Sequence, residues 1–297
     1  MVQTRETGQP SVVLAKNVAV PLFDHGIAFL PGPGGGQYLD ATSPQSRLGP
    51  LPSMDTRAVA LRLDSGPAEI VQLPGGSPDD HGADVTWQMT LREGGAGDIV
   101  GEERHSGDSA FFLRTGLKEA DARSQYVEQN MLSGWFSTVR VDKDVSFDSD
   151  LGAGAVRVKY VAHSDSLARR EGRELVVPLS PSWTFTSALA PLVTRTLPVV
   201  LSPQLAPSHQ TRTLRITAPA GYTWTELAPG GEVVGGEFGR ASLEVTRDAH
   251  DPRLLVVKRK MTLDLHVIPV EKYPAWRAFL QRVDALMHRT VRAGGAS

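Results

Sequence analysis

The sequence predicts a mainly β fold with minor α: an N-terminal β region, then an antiparallel β-sandwich with one internal helical segment, then a C-terminal helix. Three observations carry this. From Phe136 onward, short alternating runs such as Val156/Val158/Tyr160, Leu214/Ile216 and Ala241/Leu243/Val245 recur between Gly, Pro, Asp and Ser turns, which buries one face of each strand in a shared core. Over residues 109–133 the period lengthens, with Phe112, Leu113, Leu117, Ala120, Val127, Met131 and Leu132 at mainly helical spacing. At the end, Tyr273, Trp276, Phe279/Leu280, Val283 and Met287 recur at three and four, with Pro274 in the first turn, the pattern of an amphipathic helix with an aromatic face.

Composition sets the limits. The chain has 297 residues, enough for roughly two domains at about 100–200 residues each. Hydrophobic residues are 40% and charged residues 22%, a soluble globular balance. With 31 Lys+Arg against 33 Asp+Glu the formal net charge is -2, so nothing in the charge calls for nucleic acid. The count of Cys is zero, which removes disulfides, thiolate metal sites and cysteine nucleophiles together. No apolar run approaches the roughly 20 residues a transmembrane helix needs, and the polar start Met1-Val2-Gln3-Thr4-Arg5-Glu6 has no signal-peptide core. Cytoplasm and periplasm both stay open.

Element by element, residues 5–10 form a turn and Ser11-Val12-Val13-Leu14-Ala15 a short strand. Residues 23–30 and 37–42 pair as a hairpin across the Pro/Gly-rich connection 31–36. Residues 43–52 cross irregularly, with Leu51 tucked against the body between Pro50 and Pro52. Strands follow at 55–63 and 68–73, and the polar linker 75–82 is the best boundary. Val85, Trp87, Met89 and Leu91 alternate on a strand that 98–105 continues after a turn. In the helical segment, Asp108 or Ser109 is the candidate N-cap, Gly134 the stop, and Gly116 a soft point that allows two pieces. Leu254-Leu255-Val256-Val257 is apolar on both faces and reads as the central strand. Residues 178–191, with Trp183, Phe185 and Leu189, form an apolar loop over a sheet end, and residues 292–297 fray. The resulting units are 1–75, 83–270 and 271–290.

The candidate chemistry lies in the hairpin, where pairing brings His25 near Asp40. A carboxylate beside an imidazole fixes its tautomer and stabilises its charged form, which is two thirds of a nucleophilic triad. Ser11, Ser43 and Ser46 lack a Gly-x-Ser-x-Gly elbow. His81, His105, His163, His209, His250, His266 and His288 are scattered without metal-ligand spacing, and Asp142, Asp144, Asp148 and Asp150 lack the terminal Glu of a calcium loop. No metal and no cofactor is expected. Gly32-Pro33-Gly34-Gly35-Gly36 precedes a strand, without a following Lys-Ser/Thr, and so reads as a turn rather than a phosphate loop. The basic runs at 169–173 and Lys258-Arg259-Lys260 read as polar turns or edge protection. Of Trp87, Trp135, Trp183, Trp224 and Trp276, most fit core patterns; Trp183, with Phe185 beside it, is the best binding candidate.

Several of these stretches together carry a family resemblance. The chain resembles the C-terminal half of bacterial transglutaminase-like (papain-type) proteins that have N- and C-terminal β-rich domains of unknown function. Arg5-Glu6-Thr7-Gly8 resembles their turn, Phe23-Asp24-His25 their histidine strand, and Tyr38-Leu39-Asp40-Ala41-Thr42 their aspartate strand. Arg195-Thr196-Leu197-Pro198-Val199 and the stretch from Val270 to Phe279 resemble parts of the C-terminal domain and its last helix. Asp24 stands where the family has Asn, Ala41 where it has Pro, and the cysteine-bearing part is absent from this sequence. The resemblance implies a partial or degenerate transglutaminase-like core over 1–75, with His25 as base and Asp40 as its orienting carboxylate. It implies one of two functions. The chain is a noncatalytic interaction or scaffold module with a protein partner, or it supplies His and Asp to a cysteine-dependent site whose Cys lies on a missing segment or a partner chain.

Overall fold

The computed structural model describes residues 2–3, 23–33, 35–42, 51–52, 54–63, 67–150, 154–201, 205–206 and 208–295. The turn at 5–10, the strand at 11–15 and most of the 43–52 crossing lie outside them. The fold is mainly β, with the helix Tyr273–Met287 near its C-terminal end.

One nine-stranded sheet dominates. Its order runs Gly231–Val234, Gly239–Arg247, Leu254–Leu263, Ser208–Thr217, Gly82–Leu91, Gly97–Ser106, Ala155–Ser164 and Val139–Val141, and Ser146–Asp150 also pairs with Ala155–Ser164. Neighbours are antiparallel except Ser208–Thr217 against Gly82–Leu91, which run parallel. That pair is joined through more than a hundred residues, so no hairpin dictates its direction. Leu254–Leu263 is flanked on both sides, as expected of an apolar strand, but the middle of the sheet is the parallel pair.

A four-stranded sheet, Arg169–Glu171, Glu174–Pro178, Thr290–Gly295 and Tyr222–Glu226 in that order, shares the main core with the large sheet. Trp87, Ile99 and Val158 from one sheet and Leu175 and Val291 from the other are fully buried or nearly so. The helix Tyr273–Met287 contributes Tyr273, Trp276, Phe279, Leu280 and Val283, the face its periodicity predicts. At roughly 25 cal/mol per Å² of apolar surface, this packing is the main source of stability.

Several sequence expectations change. The 109–133 segment is indeed in pieces, a helix Gly107–Gly116 and a second helical stretch over 120–132. Its N-cap is Ser106, two or three residues earlier than the expected Asp108 or Ser109, because Gly107 adopts φ 59 and turns the chain into the helix. Gly116 closes the first piece; a Cβ there would lie 2.0 Å from the Tyr126 ring. The 178–191 loop holds a short helix, Phe185–Leu189, started by a Thr184 capping box. Residues 290–295 do not fray. Val291 and Ala293 alternate inward with no exposed surface, and backbone pairing on both sides holds the strand in the smaller sheet. Lys258-Arg259-Lys260 is no edge either: it lies inside the flanked strand Leu254–Leu263 with Arg259 buried.

The N-terminal residues form a smaller body with its own core of Leu51, Ala58, Ala60 and Leu73. Strands Val59–Arg62 and Glu69–Gln72 pair there, and a hairpin of Ala28–Leu30 with Gln37–Leu39 lies alongside, the Arg62 guanidinium 5.3 Å from the Phe29 ring centre. Arg57, at φ 56, reaches His266 of the main body, Nη1 to Nδ1 2.6 Å.

Candidate functional site

The hairpin is built locally. Phe29 sits opposite Tyr38 with ring centres 4.8 Å apart, and Gly36 at φ 84 closes the turn where a Cβ would strike Leu30 and Phe29. His25 precedes the first strand and Asp40 follows the second, so both stand at the open end of the ladder. There the imidazole Nε2 lies 3.3 Å from Asp40 Oδ2. The expected pair is therefore together.

A third group joins them, from residues where the sequence predicts a strand. Asp55 lies in a turn, its N–H donating to Pro52 O at 2.9 Å and its own carbonyl accepting from Ala58 N at 3.0 Å. Its carboxylate is fully buried, with Oδ2 3.8 Å from His25 Nε2. Among the described residues neither Asp55 oxygen nor His25 Nε2 has an aligned hydrogen-bond partner, so the three groups face one another at ion-pair range. The only signal in the sequence was an acid within thirty residues of His25, too common to be informative.

The two carboxylates differ. Burial acts to raise Asp40, but the Thr42 N–H at 2.9 Å, the Thr42 hydroxyl at 2.7 Å and the His25 charge outweigh it and hold the pKa below the ordinary value. Burial, with repulsion from Asp40 and Asp24, pushes Asp55 up to about 6 against the pull of His25. With Nε2 turned to the carboxylates, Nδ1 is the ring nitrogen left to serve a reacting group. Acyl transfer by this pair needs a nucleophile, and the sequence has no thiol. His25, Asp40 and Asp55 also offer one ligand atom each within 4.8 Å of one another, a set that could hold a divalent cation.

Trp183 and Phe185 are elsewhere. Their rings meet edge to face at 5.3 Å, and the N–H groups of Phe185 and Thr186 donate to Asp284 of the C-terminal helix at 2.7 and 2.9 Å. They line a separate pocket with Arg212 and Arg259.

Comparison with known proteins covers part of this. Residues 175–292 match a family model described as a domain of unknown function with solved structure, DUF3858. The span contains Trp183, Phe185, Arg212 and Arg259 and excludes His25, Asp40 and Asp55. No curated protein and no solved structure matches the chain.

Proposed function

We propose that this chain is a noncatalytic protein-interaction or scaffold module derived from a transglutaminase-like protein, and that its partner surface lies on the small N-terminal body that carries His25. The observation that carries the reading is a His–Asp pair at 3.3 Å in a chain without a single cysteine: the assisting groups are assembled and the nucleophile they would assist is not among these residues. Leu30, Leu63 and Ile70 of the same small body are 58%, 61% and 56% exposed. Apolar side chains of that size on one small body suit coverage by another protein segment.

A second reading follows from the orientation of His25. With Nε2 facing Asp40 and Asp55 at 3.3 and 3.8 Å, Nδ1 is the nitrogen left for a general base, so a covering segment that brings a cysteine makes the assembly a transglutaminase or peptidase. Affinity capture of the chain followed by native mass spectrometry tests both. A protein partner lost on Leu63→Asp/Ile70→Asp supports the module. Iodoacetamide alkylation of a partner cysteine that is faster at pH 7 with wild type than with His25→Ala supports the second reading. A chain that stays alone overturns both.

A further inference from the structure

The centre of the large sheet holds more positive charge than the fold needs. Strand register places Glu103 opposite Val85, Val85 opposite Arg212 and Arg212 opposite Arg259, so one transverse row carries a carboxylate and two guanidiniums on a single face. Like charges directly opposite repel, the more so here because Arg259 is 7% exposed. Burial and the neighbouring Arg212 pull Arg259 down to about 9, which leaves it a cation at neutral pH. Glu103 balances one of the two. Its own hydrogen bonds come from His105 at 2.8 Å, from the Tyr160 hydroxyl and from Trp87 Nε1 at 3.4 Å, not from either arginine.

The flat faces of the guanidiniums are covered by indoles. Arg212 stands 4.1 Å from the Trp135 ring centre and 4.6 Å from that of Trp87, and Arg259 4.8 Å from Trp135. Their edges are not used. Among the described residues neither guanidinium makes an ion pair or a hydrogen bond, and the Nε of each is buried without a partner. Both line a small pocket of about 50 Å³, open to solvent, with Trp135, Trp183, Phe185 and Met287 around it.

We propose that this pocket binds a carboxylate borne on an apolar or aromatic body, the carboxylate bridging Arg212 and Arg259 and the body resting against Trp183 and Phe185. The guanidinium fork matches a carboxylate in two parallel hydrogen bonds. A monoanion neutralises the single excess charge of the row, which a phosphate dianion would overshoot, and the aromatic and Met lining favours an apolar body over a sugar. The site is independent of His25; Arg212, Arg259, Trp183 and Phe185 lie within the span matched by DUF3858, whereas Trp135 comes from outside it.

The test titrates the full chain with hydrocinnamate, hydrocinnamamide and inorganic phosphate, read by calorimetry and tryptophan fluorescence. Hydrocinnamate should bind and raise Tm, with the amide weaker by at least about tenfold, the loss expected on removing a charged hydrogen-bond acceptor. Arg259→Met should fold with a Tm no lower than wild type, since a buried unpaired cation is replaced by an apolar chain, and should lose the binding. No binding of hydrocinnamate, equal binding of the amide or of phosphate, or full affinity in folded Arg259→Met overturns the proposal. A tetrapeptide ending in Phe separates two sources of the same chemistry. Affinity equal to hydrocinnamate makes a protein C-terminus the occupant, whereas failure of the peptide beside binding of hydrocinnamate makes it a free organic acid; each supports the carboxylate site.

Discussion

Asp55 is the residue whose behaviour the structure predicts most sharply. Its folded pKa of about 6 stands above the ordinary 3.8, so the folded chain holds the proton more tightly than the unfolded one. The sign follows: the stabilisation is complete below about 3.8 and is lost as pH rises through about 6. Asp55→Asn, which cannot ionise, should therefore be more stable than wild type at pH 7.5, by on the order of 2 kcal/mol, and the difference should vanish near pH 3.5. Thermal unfolding of both proteins at the two pH values measures it. A difference independent of pH would mean that Asp55 titrates alike in the folded and unfolded chain. How much of this was legible follows from distance along the chain. His25 and Asp40 could be found because one hairpin sets their separation. Asp55 could not, because its approach depends on a turn packed over Leu51 and Ala58, and nothing local encodes that. Arg259 was misread for a different reason. Three successive charges look like surface, although a strand must send the middle one to the opposite face from its neighbours.

At the scale of elements, the sheet explains its own departures from the pattern. Gly101, opposite both Trp87 and Tyr160, leaves a gap in which the tyrosine ring lies; a Cβ there would fall 2.2 Å from Tyr160 Cζ. Across that gap Trp87 Nε1 donates to the Tyr160 hydroxyl at 2.8 Å, and the hydroxyl donates to Glu103. Burial raises the Tyr160 pKa well above 10, with Glu103 adding to it, so the phenol stays a donor. Tyr160→Phe removes the link and leaves Trp87 Nε1 only its long contact to Glu103 at 3.4 Å and the carboxylate one donor fewer inside the core, a loss of about 1–3 kcal/mol. Urea unfolding near pH 7 checks this, and an unchanged midpoint would show that His105 and Trp87 together satisfy the carboxylate. The strand Thr290–Gly295 makes the complementary case. Its pattern of Val291 and Ala293 was present in the sequence, but six residues rich in Gly and Ala after a helix read as a tail. Pairing with Glu174–Pro178, more than a hundred residues earlier, decides the matter. Val291→Ala should cost about 1–3 kcal/mol in the same urea titration, while a frayed tail would show no change.

For the whole molecule, the consequence of two cores of unequal size is unequal stability. The main core joins two sheets and the helix Tyr273–Met287, whereas the N-terminal body rests on Leu51, Ala58, Ala60 and Leu73, three of them small or at the edge of a short strand. A body that buries so little apolar surface offsets little conformational entropy and opens at a lower free energy than the rest. Its tie to the main body includes Arg57 on His266, and Arg57 holds a left-handed φ to make it. Hydrogen exchange followed by mass spectrometry should therefore show amides of Ala28–Leu30, Gln37–Leu39 and Val59–Arg62 exchanging well before those of Ser208–Thr217 and Leu254–Leu263. Arg57→Ala should speed exchange in the first group and leave the second unchanged. A partner that covers Leu30, Leu63 and Ile70 would slow exchange of the first group on binding, since a ligand of the folded form stabilises it by mass action, increasingly as its concentration exceeds Kd. Equal protection of both groups in the isolated chain would instead show one cooperative unit, and the small body would then need no partner to be stable.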